Sequence, residues 1–258
     1  MAGDPVQLAA TDALSGGDVR FSKEFFDLQI RFACRVAELS GIALEQALLD
    51  YTNLYVRFGL GRDFDAGHPI WIDFVTGFLR SADRAEWTYR FFLSRDHPPG
   101  LPSVVATFGC FSYARQQNER IRLHFENVEA NGRAPLSVER IASRLTELRA
   151  LFEHVKRTQR DIQRAAGVSW LYNLPAYRRL FPETYLATAK IAGQRFRNMP
   201  LWGQFIDRHG RIKADAATVF LDRLSRQADM EHLAQCFPLQ PLAVEAPLPD
   251  FYEFHRID

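Results

Sequence analysis

A strictly alternating segment, residues 120–126, constrains the fold of this chain more than any other feature. Ile121, Leu123 and Phe125 fall on one side of an extended backbone, and the other side carries Arg120, Arg122, His124 and Glu126. Such a period of two is typical of a half-buried β-strand. The preceding residues 104–113 are rich in β-branched and aromatic side chains, and a polar turn, RQQNE, follows them. The two segments are therefore predicted to form a β-hairpin.

A long amphipathic helix is predicted after the hairpin. Ser137 stands at its N-cap position, and apolar side chains recur at helical spacing along one face: Val138, Ile141, Leu145, Leu148, Phe152 and Val155. Residues 168–172 are then predicted to form a short strand, and Pro175 to begin a short helix. Residues 201–213 are predicted to form a strand, a turn and a second strand.

The N-terminal part has the apolar spacing of helices, which are predicted at 22–40, 44–58 and, as one or two helices, within 69–95. The proline-rich residues 95–103 predict a boundary, because proline cannot continue a helix. We predict an α+β fold, with an N-terminal helical layer packed on an antiparallel or mixed sheet. The predicted parts are a disordered tail (1–20), a helical part (21–95), a mixed part (103–236) and an extended tail rich in proline and aromatic residues (237–258).

The charge balance excludes several classes of partner. The chain has 32 Lys and Arg residues against 31 Asp and Glu residues, so it carries no electrostatic footprint for a nucleic-acid backbone. A membrane span is not expected, because no apolar run is long enough, and the first residues lack the pattern of a signal peptide.

The three cysteines, Cys34, Cys110 and Cys236, are widely spaced. Their spacing predicts reduced thiols and a cytoplasmic location, without a disulfide framework or a zinc site.

Several catalytic signatures are missing. The sequence has no phosphate-binding P-loop, no G-x-S-x-G elbow and no H-E-x-x-H zinc motif. No metal ligands cluster along the sequence, so no metal is expected.

The polar side of the alternating strand is the first candidate site. Such a side is most often solvated. If it is covered instead, His124 and Glu126 lie close together and can perform acid–base catalysis, with Arg122 beside them to bind a substrate.

The stretch GVSWLYNLPAYRRLF, residues 167–181, is the second candidate site. One interpretation makes Trp170 and Tyr172 core aromatics and Asn173 a helix cap. The other gives Trp170 and Tyr172 a role in substrate binding, with Asn173 and Arg178 binding a polar ligand group at the end of the strand.

The order of hairpin, long helix, short strand, Asn-x-x-Ala and short helix resembles the C-terminal half of the GNAT-type N-acyltransferases, over residues 104–213. Asn173-Leu-Pro-Ala176 matches the first part of the family pattern N-x-x-A-x-x-x-Y. The resemblance implies a splayed strand pair that holds the pantetheine arm of acyl-CoA, and direct attack by an amine. No further cofactor is required, because acyl-CoA is a cosubstrate.

The chain departs from the family at two motifs. ANGRAPLS replaces the glycine-rich phosphate loop, so Arg133 is expected to contact phosphate in place of the backbone N–H that Pro135 removes. The family's acid tyrosine falls at Leu180, and Tyr177 is its candidate substitute. These departures leave a second hypothesis open. It is a non-catalytic ligand-binding or protein-interaction module on a similar scaffold, with a ligand against Trp170 and Tyr172 or a partner against the DFYEFH tail.

Overall fold

The structure is a computed structural model that describes residues 21–95, 104–129, 134–192, 199–207 and 210–258. The described residues form two compact units. The helical unit comprises 21–95, 199–207 and 210–238, and the mixed unit comprises 104–129, 134–192 and 239–258. The predicted tail at 1–20 and most of the predicted boundary at 95–103 lie outside the described residues.

The helical unit begins with five helices: α1 (Lys23–Ser40), α2 (Leu44–Tyr51), α3 (Leu54–Arg57), α4 (Pro69–Arg80) and α5 (Arg84–Leu93). Helix α1 ends at Gly41, which has a φ of 73°, as the sequence predicts. The predicted helix at 44–58 is interrupted, because Thr52 is extended and the backbone N–H of Asn53 donates to Gln29 Oε1 at 2.9 Å. Tertiary hydrogen bonding thus overrides the helical pattern at this point.

The mixed unit opens with three antiparallel strands, β1 (Val104–Phe108), β2 (Phe111–Gln116) and β3 (Arg120–Phe125). The alternation predicted for β3 is confirmed, but the single strand predicted at 104–113 is wrong. Gly109, with a φ of 58°, turns the chain between β1 and β2. A side chain at Gly109 would also overlap the carboxylate of Glu147. The turn therefore requires glycine both for its positive φ and for the space beside Glu147.

Helix α6 (Ile141–Thr158) follows a 3₁₀ turn at Val138–Arg140, and confirms the predicted long helix. Strand β4 (Arg164–Ser169) then pairs parallel with β3. The strand predicted at 168–172 is therefore displaced. Residues Trp170–Asn173 form a 3₁₀ turn, because the Ser169 hydroxyl accepts a hydrogen bond from the Leu171 backbone N–H at 3.1 Å.

The next elements are α7 (Pro175–Arg178), α8 (Glu183–Ala187) and the short strand β5 (Lys190–Ile191). The chain then returns to the helical unit with α9 (Met199–Trp202) and α10 (Ala214–Ser225). The prediction of two strands at 201–213 is wrong, since only an isolated bridge joins Ile206 and Ile212 in the described part of this segment. The mixed part predicted at 103–236 is wrong as well, because its residues beyond 192 belong to the helical unit.

The C-terminal residues complete the mixed unit. Strand β6 (Leu242–Pro247) lies between β4 and β5, and helix α11 (Leu248–His255) follows it. The extended tail predicted at 237–258 is therefore wrong. Its prolines do not prevent structure, because Pro247 stands at the N-cap and the next proline lies in the first helical turn. The ring of Phe251 stacks on that of Phe152 of α6 at 4.5 Å.

The six strands of the described residues form one mixed sheet in the order β1-β2-β3-β4-β6-β5, so the predicted α+β class is confirmed. The core of the mixed unit lies between one face of this sheet and α6 and α11. It includes Phe111, Ile121, Leu151, Val244 and Phe251. No helix among the described residues is long and apolar enough to cross a membrane.

Candidate functional site

The register pairs between the parallel strands β3 and β4 end halfway along their length. They share register through three pairs: Arg120 with Arg164, Ile121 with Ala165, and Arg122 with Ala166. Beyond these pairs, β3 stays paired with β2 as far as Phe125, and β4 stays paired with β6 as far as Ser169. We call the point where this pairing ends the fork, and its two prongs are residues 123–125 and 167–169. No residue of the β3 prong is a register partner of a residue of the β4 prong.

Tyrosine side chains meet at the fork on the core face of the sheet. Gly167 begins the β4 prong, and a Cβ placed on it would lie 2.0 Å from the Tyr172 hydroxyl and 2.5 Å from the Tyr185 hydroxyl. These two hydroxyl oxygens are 2.8 Å apart. The ring of Tyr177 lies 5.5 Å from Phe125 of the β3 prong and 5.1 Å from Tyr172. Tyr177 therefore connects the β3 prong to the 3₁₀ turn that follows the β4 prong.

Burial controls the ionisation of the tyrosine pair. It raises the pKa of Tyr172 to about 12, against the opposing effects of hydrogen bonds with Tyr185 and Tyr177 and of the Arg122 charge. Burial also raises the pKa of Tyr185 well above its ordinary value. Both hydroxyls are therefore protonated at neutral pH, and each can donate a proton to a stronger base.

The opposite face of the sheet carries Arg122 and His124 at the mouth of the fork. Leu123 and Phe125 point into the core, so the alternation of a strand places Arg122 and His124 on the other face. Same-face neighbours on one strand are about 6.6 Å apart. His124 is only 7% exposed, so this end of the polar face is covered, whereas Arg122 is half-buried.

A group of ions extends from the fork along this second face. Glu245 of β6 pairs with Arg120 at 3.1 Å and also with Arg164. Although burial alone raises the pKa of Glu245, hydrogen bonds from Arg164 and Arg120 hold it below its ordinary value. Lys190 of β5 lies on the same face and is exposed. The side chains that share this face with Arg122 are thus mainly basic.

Asn173 follows the β4 prong, and its side-chain amide nitrogen is bonded to backbone carbonyls. Its Nδ2 donates to the carbonyls of Trp170 and Gln240, both at 2.8 Å. This pair of bonds fixes the 3₁₀ turn to the residues before β6. Its Oδ1 makes no hydrogen bond with the described residues, so one acceptor stays available for a ligand. The indole of Trp170 is buried in the core.

Three other residues were predicted for the site from the sequence. Glu126 lies just beyond β3, and its backbone N–H donates to the Cys110 carbonyl at 2.8 Å. Arg178 is half-buried at the end of α7, and no described residue pairs with its guanidinium. Arg133 lies outside the described residues.

A buried ionic network lies at the start of α6. Arg144 is 4% exposed and pairs at 2.9 Å with Glu129 and at 2.9 Å with Glu147. Glu129 also pairs with Arg140 at 2.9 Å. Burial raises the pKa of Glu147, against a hydrogen bond from the Cys110 backbone N–H and the charge of Arg144. The network fixes the turn between β1 and β2 against the helix.

The structure thus brings some predicted residues together and separates others. His124 and Arg122 lie on one face of the fork, and Tyr172 and Tyr177 lie on the other. Among the described residues, no group of three or more His, Cys, Asp or Glu side chains is placed to hold a metal ion.

Two important residues of the fork escaped prediction. Tyr185 completes the hydroxyl pair, and Gly167 leaves the space for it. The available signal was a glycine within a short run of small residues that precedes the aromatic stretch. Glycine within a strand often marks a site where another group approaches the backbone closely.

Comparisons with protein-family models, with curated proteins and with solved structures find no match for this chain.

Proposed function

We propose that the protein is an acyl-CoA-dependent N-acyltransferase that binds the pantetheine arm of acyl-CoA in the fork. The observation that carries this proposal is the loss of register between β3 and β4 after Arg122 and Ala166. The sheet order from β1 to β6, with α6 between the parallel strands, agrees with the resemblance to GNAT-type N-acyltransferases.

The chemistry of pantetheine suits the fork. Its two amides form a linear, extended chain, and an extended ligand can pair with the edge of a β-strand through backbone hydrogen bonds. Both prongs provide such an edge, and they run in the same direction. Asn173 follows the β4 prong, and its Oδ1 can accept a hydrogen bond from a pantetheine amide N–H.

The two faces of the fork provide a proton acceptor on one side and hydrogen-bond donors on the other. In aminolysis of a thioester, the amine nitrogen forms a bond to the acyl carbon, the carbon–sulfur bond breaks, and the thiolate leaves. His124 accepts the proton that the amine loses. A tyrosine hydroxyl, from Tyr172 or from its partner Tyr185, donates a hydrogen bond to the leaving thiolate, which then takes its proton from water. Tyr177, the candidate acid from the sequence, positions these hydroxyls by packing against Tyr172.

The diphosphate end of CoA needs cationic partners. Arg178 at the end of α7 has no partner among the described residues, and Arg133 precedes α6 in the sequence. We propose that these two arginines bind phosphate oxygens in place of a glycine-rich loop.

A thermal-shift measurement with CoA and acetyl-CoA tests this proposal. Ligand at about 100 times its dissociation constant adds about 2.7 kcal/mol of stability. Val168→Trp adds bulk to the second face of the β4 prong and should abolish the shift, whereas Val219→Trp on the exposed side of α10 should preserve it.

The absence of any shift with wild-type protein would overturn the proposal. A shift without acetyl transfer to any amine would favour the non-catalytic ligand-binding module instead.

A further inference from the structure

Arg122 is the one arginine of the fork's second face without a carboxylate partner among the described residues. Arg120 and Arg164 share Glu245, but neither an ion pair nor a hydrogen bond joins the side chain of Arg122 to a described residue. Its Nε is buried and makes no hydrogen bond. A buried guanidinium nitrogen without an acceptor is costly, so this arrangement favours binding of an external anion.

The cross-strand neighbours of Arg122 are small. Its register partners are Ala114 on β2 and Ala166 on β4, and both have only a methyl side chain. His124 follows Arg122 on the same face of β3, two residues farther along the strand. Basic side chains dominate the described strands on this face, because Arg120, Arg164 and Lys190 accompany Arg122 and Glu245 is the one acidic side chain of these strands.

We propose that Arg122 binds the carboxylate of the acyl acceptor, and that the acceptor is therefore an α-amino acid. Arginine recognises a carboxylate through two parallel hydrogen bonds, and this geometry fixes the orientation of the bound molecule. A carboxylate held by Arg122 places the amine of an amino acid toward His124, which lies about 6.6 Å farther along the same face. The inference rests on the proposed function, since it assigns the acceptor of that same site.

Saturation-transfer difference NMR with pools of the standard L-amino acids tests the inference directly. Each amino acid that binds is then compared with its carboxamide, which keeps the amine and side chain but removes the negative charge. We expect the carboxamide to bind at least about 10-fold more weakly. Equal binding of acid and amide, or no binding of any amino acid in the presence or absence of CoA, would overturn the inference.

Matched variants assign the effect to Arg122. Arg122→Gln should weaken amino-acid binding at least about 10-fold, and Arg122→Lys should recover part of it, because lysine keeps the charge but not the two-pronged geometry. Arg164→Gln is the control, since Arg164 lies on the same face but already has Glu245 as its partner. Equal loss in Arg122→Gln and Arg164→Gln would contradict the assignment.

The same samples separate this inference from the proposed function. A thermal shift with CoA but no amino-acid binding overturns only the assignment of Arg122. Amino-acid binding that depends on Arg122, without any shift from CoA, supports the carboxylate site and overturns the acyltransferase proposal.

Discussion

The hydroxyl oxygens of Tyr172 and Tyr185 lie 2.8 Å apart, over the backbone of Gly167. Three segments of the mixed unit meet at this contact: strand β4, the 3₁₀ turn that follows it and helix α8. The contact lies at the first residue of the β4 prong, where the pairing between β3 and β4 ends. Packing beneath the fork therefore positions the hydroxyls that we propose as hydrogen-bond donors to the leaving thiolate.

Gly167→Ala should destabilise the mixed unit. The added methyl group would overlap both hydroxyl oxygens, and overpacking of this kind costs about 1–3 kcal/mol. Urea denaturation measures the loss. Tyr172→Phe and Tyr185→Phe together remove both oxygens. In that double variant, Gly167→Ala should therefore lower the free energy of unfolding by less than it does in the wild type. An alanine penalty of equal size in both backgrounds would show that the hydroxyls do not limit the space.

The buried tyrosine also predicts a fall in stability at alkaline pH. The pKa of Tyr172 rises from 10 to about 12 in the folded state, so its stabilising contribution is complete below pH 10 and is lost as the pH rises through 12. The contribution is about 2–3 kcal/mol. Tyr172→Phe should flatten this part of the stability profile, and an unchanged profile would contradict the assignment.

Arg144→Met should be strongly destabilising, because it leaves the half-enclosed carboxylates of Glu129 and Glu147 without their shared partner. Breaking a buried pair costs about 3–5 kcal/mol. Arg149→Ala is the matched control on the same helix. Arg149 pairs with Glu153 at 2.9 Å on the exposed side, and such pairs contribute less than about 1 kcal/mol. Similar losses in the two variants would contradict the structural role of the network.

His255 predicts a loss of stability in acid. Burial, with a smaller effect of Arg149, lowers the pKa of His255 from 6.5 to about 4. The unfolded chain therefore binds the proton first, so stability is full above pH 6.5 and falls as the pH drops through 4. The loss is about 3 kcal/mol.

His255→Phe isolates this effect. The His255 ring stacks on Phe152 at 5.5 Å, and its buried Nε2 makes no hydrogen bond, so phenylalanine keeps the packing and removes only the titration. Denaturation between pH 6.5 and 4 should show a smaller loss for the variant. A loss equal to that of the wild type would assign the acid sensitivity to other groups.

The sequence predicted correctly those elements that bury one face, because their apolar residues then recur at a regular spacing. The alternation of β3 and the apolar seam of α6 are of this kind, and both elements occur where they were expected. The prediction failed where one short interaction decides the backbone. Gly109 divides a continuous apolar segment into β1 and β2, and the Ser169 hydroxyl converts an aromatic segment into a 3₁₀ turn.

The fork itself could not be predicted, because it depends on register between strands that are far apart in the sequence. The sequence did indicate Arg122, His124 and Tyr172, which lie around it. It did not indicate Tyr185, since a tyrosine within a short helix resembles any core aromatic. The C-terminal strand was missed because its prolines suggested an extended tail, although they stand where a strand ends and a helix begins.

Hydrogen–deuterium exchange with and without CoA tests the central claim most directly. If the pantetheine arm lies between β3 and β4, saturating CoA should slow exchange of the amides in residues 123–125 and 167–169. Residues 120–122 and 164–166, which already pair with one another, should change little and serve as the internal control. Unchanged exchange in both prongs, or protection confined to another part of the chain, would contradict the account.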